Sequence, residues 1–170
     1  MGLIVFVLGL CVGSFLNAYI WRLHSAEALP PGVRRQGLCL SVWRGRSYCP
    51  KCKKPLRWYE LIPLISFFAQ LGRCRGCKQK IDWQYPLVEL ATGLLFVLAY
   101  TETLPLVASI NILHSTFYIL HFYLLSVLVI LFVYDLRYGL VPDRVVLPAI
   151  VVAFFYTVIL SGAKDPVIIP

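Results

Sequence analysis

Charged residues are scarce in this sequence, and acidic residues are the scarcest of them. Only 14% of the 170 residues are charged, eight of them Asp or Glu, whereas 59% are hydrophobic. A soluble domain usually has about a quarter charged residues. The scarcity therefore excludes an ordinary soluble domain and indicates that much of the chain lies in a lipid bilayer.

Long stretches of the chain lack charge altogether. About 20 apolar residues span the hydrocarbon core of a bilayer. Three uncharged stretches meet this length and a shorter fourth contains one glutamate, so we predict four transmembrane helices, at Gly2–Trp21, Leu87–Tyr100, Leu106–Tyr134 and Val145–Gly162. The first stretch also lacks the basic start and the small-residue cleavage site of a signal peptide, which favours an uncleaved helix.

The basic residues are concentrated in one loop. Thirteen of the sixteen Lys and Arg lie between Arg22 and Lys80, opposed only by Glu27, Glu60 and Asp82, which gives a net charge of +10. Because basic loops stay on the cytoplasmic side of membranes, we predict that this loop is cytoplasmic. The same rule accounts for the charge, so no nucleic-acid partner is expected.

These patterns predict an all-α polytopic membrane protein with about four transmembrane helices and a cytoplasmic zinc-ribbon-like loop between the first and second. The expected division is a first transmembrane helix over 1–21, a basic loop over 22–85 and three further helices over 86–170. The outer turn between the second and third helices would be Thr101–Pro105, which has no basic residue.

The loop contains two Cys-x-x-Cys pairs, which are typical of a four-cysteine zinc site. They are "CPKC" and "CRGC", and the four candidate ligands are Cys49, Cys52, Cys74 and Cys77. Two disulfides or redox pairs are the alternatives, but a cytoplasmic location disfavours stable disulfides. Cys11 and Cys39 are interpreted as small apolar residues. Between the pairs, the apolar segment Leu61–Leu71 is too short to cross a bilayer. It could pack against the cysteine loop or lie among the lipid headgroups.

Two aspartates adjoin the last two predicted helices. Asp143 is well placed to cap the start of the fourth helix. Asp135 ends the third, either as an interfacial residue that terminates a helix or as half of an aspartyl dyad, in which one carboxylate activates water while the other, protonated, polarises a carbonyl. His114 and His121 share a helix face, but two histidines alone make a poor metal site.

Three segments together resemble a known family. They are "GLCVGSFLNAYIWRL", "YCPKCKKPLRWYELIPLISFFAQLGRCRGCKQKIDWQYPLVELATGLLF" and "YDLRYGLVPDRVVLP", which follow one another between Gly9 and Pro148. In this order they resemble the bacterial type IV prepilin leader peptidases, which are polytopic aspartic proteases of the inner membrane. That family processes type IV prepilins and the pseudopilins of type II secretion.

The resemblance implies a role for particular residues. The four paired cysteines correspond to the family's cytoplasmic zinc ligands. Asp135, which opens an Asp-x₆-Pro-Asp element, corresponds to one of its two catalytic aspartates. The family cleaves a basic leader after a glycine and methylates the new terminus with S-adenosylmethionine, so the expected partners are prepilin or pseudopilin substrates and the bilayer.

The chain departs from the family at the second catalytic aspartate. That residue lies in a Gly-x-Gly-Asp motif, and these 170 residues contain no such motif. Asp165 falls on the outer side in the predicted topology. We therefore expect a truncated or split enzyme, or a fragment of one, that is inactive in isolation. A non-catalytic zinc-ribbon membrane scaffold is the alternative.

The predicted topology can be tested by labelling single introduced cysteines in whole cells. A membrane-impermeant maleimide should react with a cysteine placed at Thr103 and should leave one placed at Gln36 unlabelled. Labelling at Gln36 without labelling at Thr103 would invert the orientation.

Overall fold

The computed structural model describes residues 1–27, 47–107 and 113–164. The described residues form five α-helices and a short 3₁₀ turn at Trp58–Leu61, with two isolated β-bridges and no β-strand. The helices are α1 (Gly2–Glu27), α2 (Ile65–Ala69), α3 (Gln84–Val107), α4 (Leu113–Tyr138) and α5 (Asp143–Lys164). They divide into two compact units, residues 1–98 and 99–170. The predicted all-α character is confirmed.

Within the first unit, α1 and α3 pack against each other through glycines. A Cβ on Gly9 would lie 2.8 Å from Cα of Gly93, and one on Gly13 would lie 2.8 Å from Cα of Glu89. One turn further along α1, the Asn17 side-chain amide donates a hydrogen bond to the carbonyl of Tyr85 at 3.0 Å. Each four-residue step forward along α1 matches a four-residue step back along α3, so the two helices are antiparallel. Close packing at small residues is the usual way in which membrane helices associate.

Glu89 links these helices to the loop that precedes α3. Its side chain is 8% exposed and accepts a hydrogen bond of 2.8 Å from the backbone N–H of Leu64, the residue before α2. Leu64 has a φ of 57° and a ψ of −52°, a sparsely populated conformation that costs roughly 1–3 kcal/mol. The hydrogen bond to Glu89 helps to hold that conformation and places the start of α2 beside α3.

Among the described residues, two helices are long and apolar enough to cross a membrane, with candidate spans Gly2–Ser25 and Tyr118–Tyr138. Large apolar side chains are exposed on all four long helices, for example Leu3, Leu94, Phe132 and Phe154. Such extensive apolar exposure is unusual for a soluble protein and suits contact with lipid. The other two predicted spans lie within α3 and α5, and their passage through the bilayer stays a prediction.

The helix boundaries differ from those predicted by hydropathy. Thr101–Pro105 is helical rather than a turn, since α3 continues through it to Val107, and α4 begins at Leu113 instead of Leu106. α1 extends to Glu27, beyond the predicted end at Trp21. The predicted span of α1 ended where the first charged residue occurs. A charged residue can still take part in helical backbone hydrogen bonds, so the helix itself continues beyond that point. Polar residues and Pro105 near the end of α3 were likewise compatible with helix there.

In the second unit, α4 and α5 form a helical hairpin. Tyr134 is fully buried, and its ring lies 4.9 Å from that of Tyr138 between centroids. The His121 ring nitrogen Nδ1 lies 3.2 Å from the hydroxyl of Tyr156, which links the two helices. This contact supports a structural role for His121. The side chain of His114 lies outside the described residues.

The contact between α1 and α3 predicts that Gly13 does not tolerate a larger side chain. Gly13→Val would press a branched side chain against the α3 backbone, and overpacking of this kind costs about 1–3 kcal/mol. The melting temperature of the purified protein in detergent should fall. Gly2→Val is the matched control, because a Cβ at Gly2 meets nothing within 4 Å, and it should leave the melting temperature nearly unchanged. Equal melting temperatures for the two variants would contradict this packing.

Candidate metal centre and catalytic aspartate

The two Cys-x-x-Cys turns have the same backbone structure. In each turn, the N–H of the first cysteine donates a hydrogen bond to the carbonyl five residues later. The carbonyl of the same cysteine accepts a hydrogen bond from the N–H four residues later. The distances around Cys49 and Cys74 are 2.9–3.0 Å. The lysine after each pair has a φ of 58°, at Lys53 and Lys78. This left-handed residue lets the chain fold back, so that both sulfurs of a pair can point to one side.

The repeat extends beyond the cysteines on both sides. The bridge between Tyr48 and Pro55 recurs between Arg73 and Lys80. The hydrogen bond from the N–H of Leu56 to the carbonyl of Ser47, at 2.8 Å, likewise recurs at 2.7 Å from Ile81 to Gly72. The cysteine cluster was predicted from the sequence, whereas this backbone repeat was not. The shared Cys-x-x-Cys-Lys pattern was the signal that could have revealed it.

The repeat brings the four sulfurs together. All four Sγ atoms lie within 4.8 Å of one another. The Cys49–Cys77 and Cys52–Cys74 Sγ distances are 3.9 Å and 4.0 Å. A disulfide requires about 2.05 Å, whereas a tetrahedron with Zn–S bonds of about 2.3 Å has sulfurs about 3.8 Å apart. The four cysteines are free thiols, and their spacing fits a metal ion such as zinc.

The backbone affects the ionisation of these thiols unequally. Hydrogen bonds from the N–H groups of Cys77 and Gly76 lower the pKa of Cys74 to about 7. For Cys77, the N–H of Gln79 lowers the pKa, but burial and the three neighbouring thiols outweigh it and raise the pKa to about 11. The turns therefore favour a first thiolate, and mutual repulsion opposes the last. The positive charge of a divalent cation among the sulfurs would offset this repulsion, so that all of the coordinated thiols could be deprotonated.

Gly76 lies in the second turn, close to the sulfur cluster. A Cβ there would lie 3.2 Å from Cδ of Lys54 and 3.4 Å from Sγ of Cys52. The first contact is tight, although the lysine chain could move. The second is an ordinary van der Waals distance, so a larger residue at this position would touch the sulfur cluster without displacing it.

The two aspartates lie on either side of the α4–α5 connection. Asp135 is in the last turn of α4, and its carbonyl accepts a hydrogen bond of 2.7 Å from Gly139, whose φ of 63° ends the helix. Asp143 was predicted to be the cap that precedes the first helical residue. In the structure it is itself the first residue of α5, one position further into the helix. Both side chains are exposed. A carboxylate is unfavourable near a helix C-terminus, so the position of Asp135 is not explained by helix stability.

Taken together, these features describe a membrane-compatible helical chain with a four-cysteine centre and exposed carboxylates at the end of a candidate span. The model of the bacterial peptidase A24 N-terminal domain matches residues 7–103, which include all four cysteines. The chain belongs to this family.

The most similar relatives include three named prepilin leader peptidase/N-methyltransferase. The protein from Myxococcus xanthus is 51% identical over 92 residues, covering 54% of this chain and 24% of the relative. The one from Klebsiella pneumoniae is 40% identical over 147 residues, covering 86% and 58%. The one from Aeromonas salmonicida is 35% identical over 161 residues, covering 85% and 51%.

The chain thus spans between about a quarter and just under three fifths of the length of these curated relatives. No solved structure matches the chain.

The sulfur geometry predicts one metal ion for each chain. Purified protein should contain about one zinc, and the double variant Cys49→Ser, Cys74→Ser should contain almost none, because two of four ligands are lost. Plasma emission spectrometry measures the zinc directly. Cys11→Ser is the control and should retain zinc, since Cys11 lies in α1. Four oxidised cysteines in fresh protein would contradict the metal site.

Proposed function

We propose that this chain is part of a prepilin leader peptidase that cleaves the basic leader of type IV prepilins and pseudopilins at the cytoplasmic face of the inner membrane. The observation that carries the proposal is the similarity to the named peptidases over 86% of the chain. The remaining 14% of the chain is too short to hold either the cysteine centre or Asp135 outside the match at one end. The match therefore includes both.

Asp135 is proposed as one catalytic carboxylate. A helix end that carries an exposed carboxylate beside a candidate span is suited to a substrate whose basic leader meets an apolar helix. Aspartic proteolysis requires a carboxylate that accepts a proton from water and a second, protonated carboxyl that polarises the peptide carbonyl. Asp135 can supply one of these. Since no Gly-x-Gly-Asp occurs in these 170 residues, a segment outside them would supply the other.

The relatives' names also include an N-methyltransferase. We accordingly propose S-adenosylmethionine as the methyl donor for the new N-terminus, with no residue assigned to its binding. Zinc is proposed as a structural ion held by Cys49, Cys52, Cys74 and Cys77. It supplies a cross-link between the two turns, and the backbone repeat around these residues supports that role.

The competing function is a non-catalytic zinc-ribbon membrane scaffold. A scaffold would need no second aspartate. The scaffold and the peptidase differ in one property, because only the peptidase needs Asp135 as a carboxylate.

A cleavage assay in membranes distinguishes the two functions. The 170-residue chain alone should leave a prepilin uncut, whereas a hybrid extended with the downstream helices of a related enzyme should cut it. Asp135→Asn in the hybrid should abolish cleavage, because asparagine cannot act as a base. Gel mobility of the prepilin is the readout.

Asp143→Asn in the same hybrid is the matched control, since it removes an equivalent exposed charge from the other side of the α4–α5 connection. It should reduce cleavage only slightly, because asparagine is also accepted at helix starts. Cleavage by the unextended chain would overturn the need for a second aspartate outside it. Cleavage by the Asp135→Asn hybrid would remove the catalytic assignment and favour the scaffold.

A further inference from the structure

The segment between the two cysteine turns, together with the residue that precedes α3, exposes large apolar side chains that are here called the apolar patch. Its five members are between 61% and 86% exposed, namely Trp58, Ile65, Phe68, Leu71 and Trp83. One neighbour, Phe67, is not exposed. Phe67 is buried, and its ring lies 5.0 Å from that of Trp83 between centroids. This contact accounts for Phe67, whereas the five members of the patch stay largely exposed among the described residues.

The patch is fixed beside the start of α3. The ring contact between Phe67 and Trp83 holds the middle of α2 next to the residue that precedes α3. The hydrogen bond from Leu64 to Glu89 holds the start of α2 next to the second turn of α3. With an attachment at each of these points, α2 lies along the first turns of α3.

The antiparallel register of α1 and α3 gives the depth of this position. Glu89 lies opposite Gly13, and Gly13 is two helical turns before Trp21, where the uncharged part of α1 ends. At about 1.5 Å per residue, Glu89 is roughly 12 Å below that boundary along α1, and Trp83, six residues earlier in the chain, is only roughly 3 Å below it. Because α2 is attached to α3 at both residues and α1 carries a candidate span from Gly2 to Ser25, α2 lies between these two depths, from the acyl chains up to the level of the headgroups.

The charge around the patch suits anionic lipid. Five basic residues lie between positions 57 and 83 and are exposed, namely Arg57, Arg73, Arg75, Lys78 and Lys80. Only two acids oppose them. Glu60 is buried and accepts a hydrogen bond from the backbone N–H of Arg57 at 2.8 Å, and Asp82 precedes α3. Tryptophans such as Trp58 and Trp83 favour the membrane–water interface, where clustered basic residues attract anionic headgroups.

We propose that α2 and the apolar patch lie in the interface of the bilayer, with the patch among the acyl chains and the surrounding Arg and Lys on anionic phospholipid headgroups. The cysteine centre is thereby held at the membrane surface. This surface is independent of peptidase activity, so the proposal stands or falls separately from the proposed function.

Photocrosslinking tests the contact directly. The full chain is reconstituted in vesicles containing equal amounts of phosphatidylcholine and phosphatidylglycerol, with p-benzoylphenylalanine in place of Phe68. Irradiation should give lipid adducts, identified by mass spectrometry. The same photoprobe at Leu3, an exposed apolar residue of α1, is the positive control. At Lys51, an exposed residue in the first cysteine turn, it should give far fewer adducts.

Several outcomes would overturn the proposal. They are a Phe68 adduct to a second copy of the chain, no lipid adduct at Phe68, or equal lipid adducts at Phe68 and Lys51. The headgroup part has its own readout. Adducts at Phe68 should favour phosphatidylglycerol over phosphatidylcholine, and the double change Arg73→Gln, Lys80→Gln should bring the two lipids close to parity. Parity in the unchanged chain would remove the role of the basic residues.

Discussion

The contact between the backbones of α1 and α3 is the constraint on which the first unit depends. Gly9 and Gly13 let the helices approach to a distance at which any Cβ would collide. That approach fixes the register that puts Asn17 beside Tyr85 and brings Glu89 under the start of α2. The position of the cysteine-containing loop relative to α1 therefore depends on these two glycines as well as on the direct contact between Trp21 and Tyr48, whose ring centroids lie 5.2 Å apart.

Glu89 shows why a carboxyl group is kept within an apolar helix. An acidic residue at the centre of a bilayer is costly, by roughly 2.5–3.5 kcal/mol on insertion scales for aspartate, and such residues usually have a specific partner. Here the partner is the backbone N–H of Leu64, a residue with a positive φ. An apolar side chain of similar size could fill the same volume, but it could not accept that hydrogen bond.

Local chemistry was readable from the sequence, and tertiary register was not. The spacing of the four paired cysteines predicted the sulfur cluster, because metal ligands impose a short-range pattern. Hydropathy located the α4 span, but it put a turn at Thr101–Pro105, where α3 is helical. The register of Gly13 against Glu89 depends on two segments that are far apart in the chain, and no local pattern encodes it. Phe67 is likewise buried through a ring contact with Trp83, the residue before α3, whereas its neighbour Phe68 is exposed. No local pattern distinguishes these two adjacent phenylalanines.

The repeated cysteine turn has a mechanical consequence for the segment that its two copies enclose. An ion bound by both turns would act as a covalent-like clasp, closing a loop between Cys52 and Cys74 that contains α2. Closing such a loop lowers the conformational entropy of the unfolded chain, so less entropy is lost when the segment folds. The ends of the α2 segment would then be tied together at one point, in addition to its attachments to α3 through Leu64 and through Phe67. Removing the ion would open this loop and leave the segment with fewer restraints on its conformation.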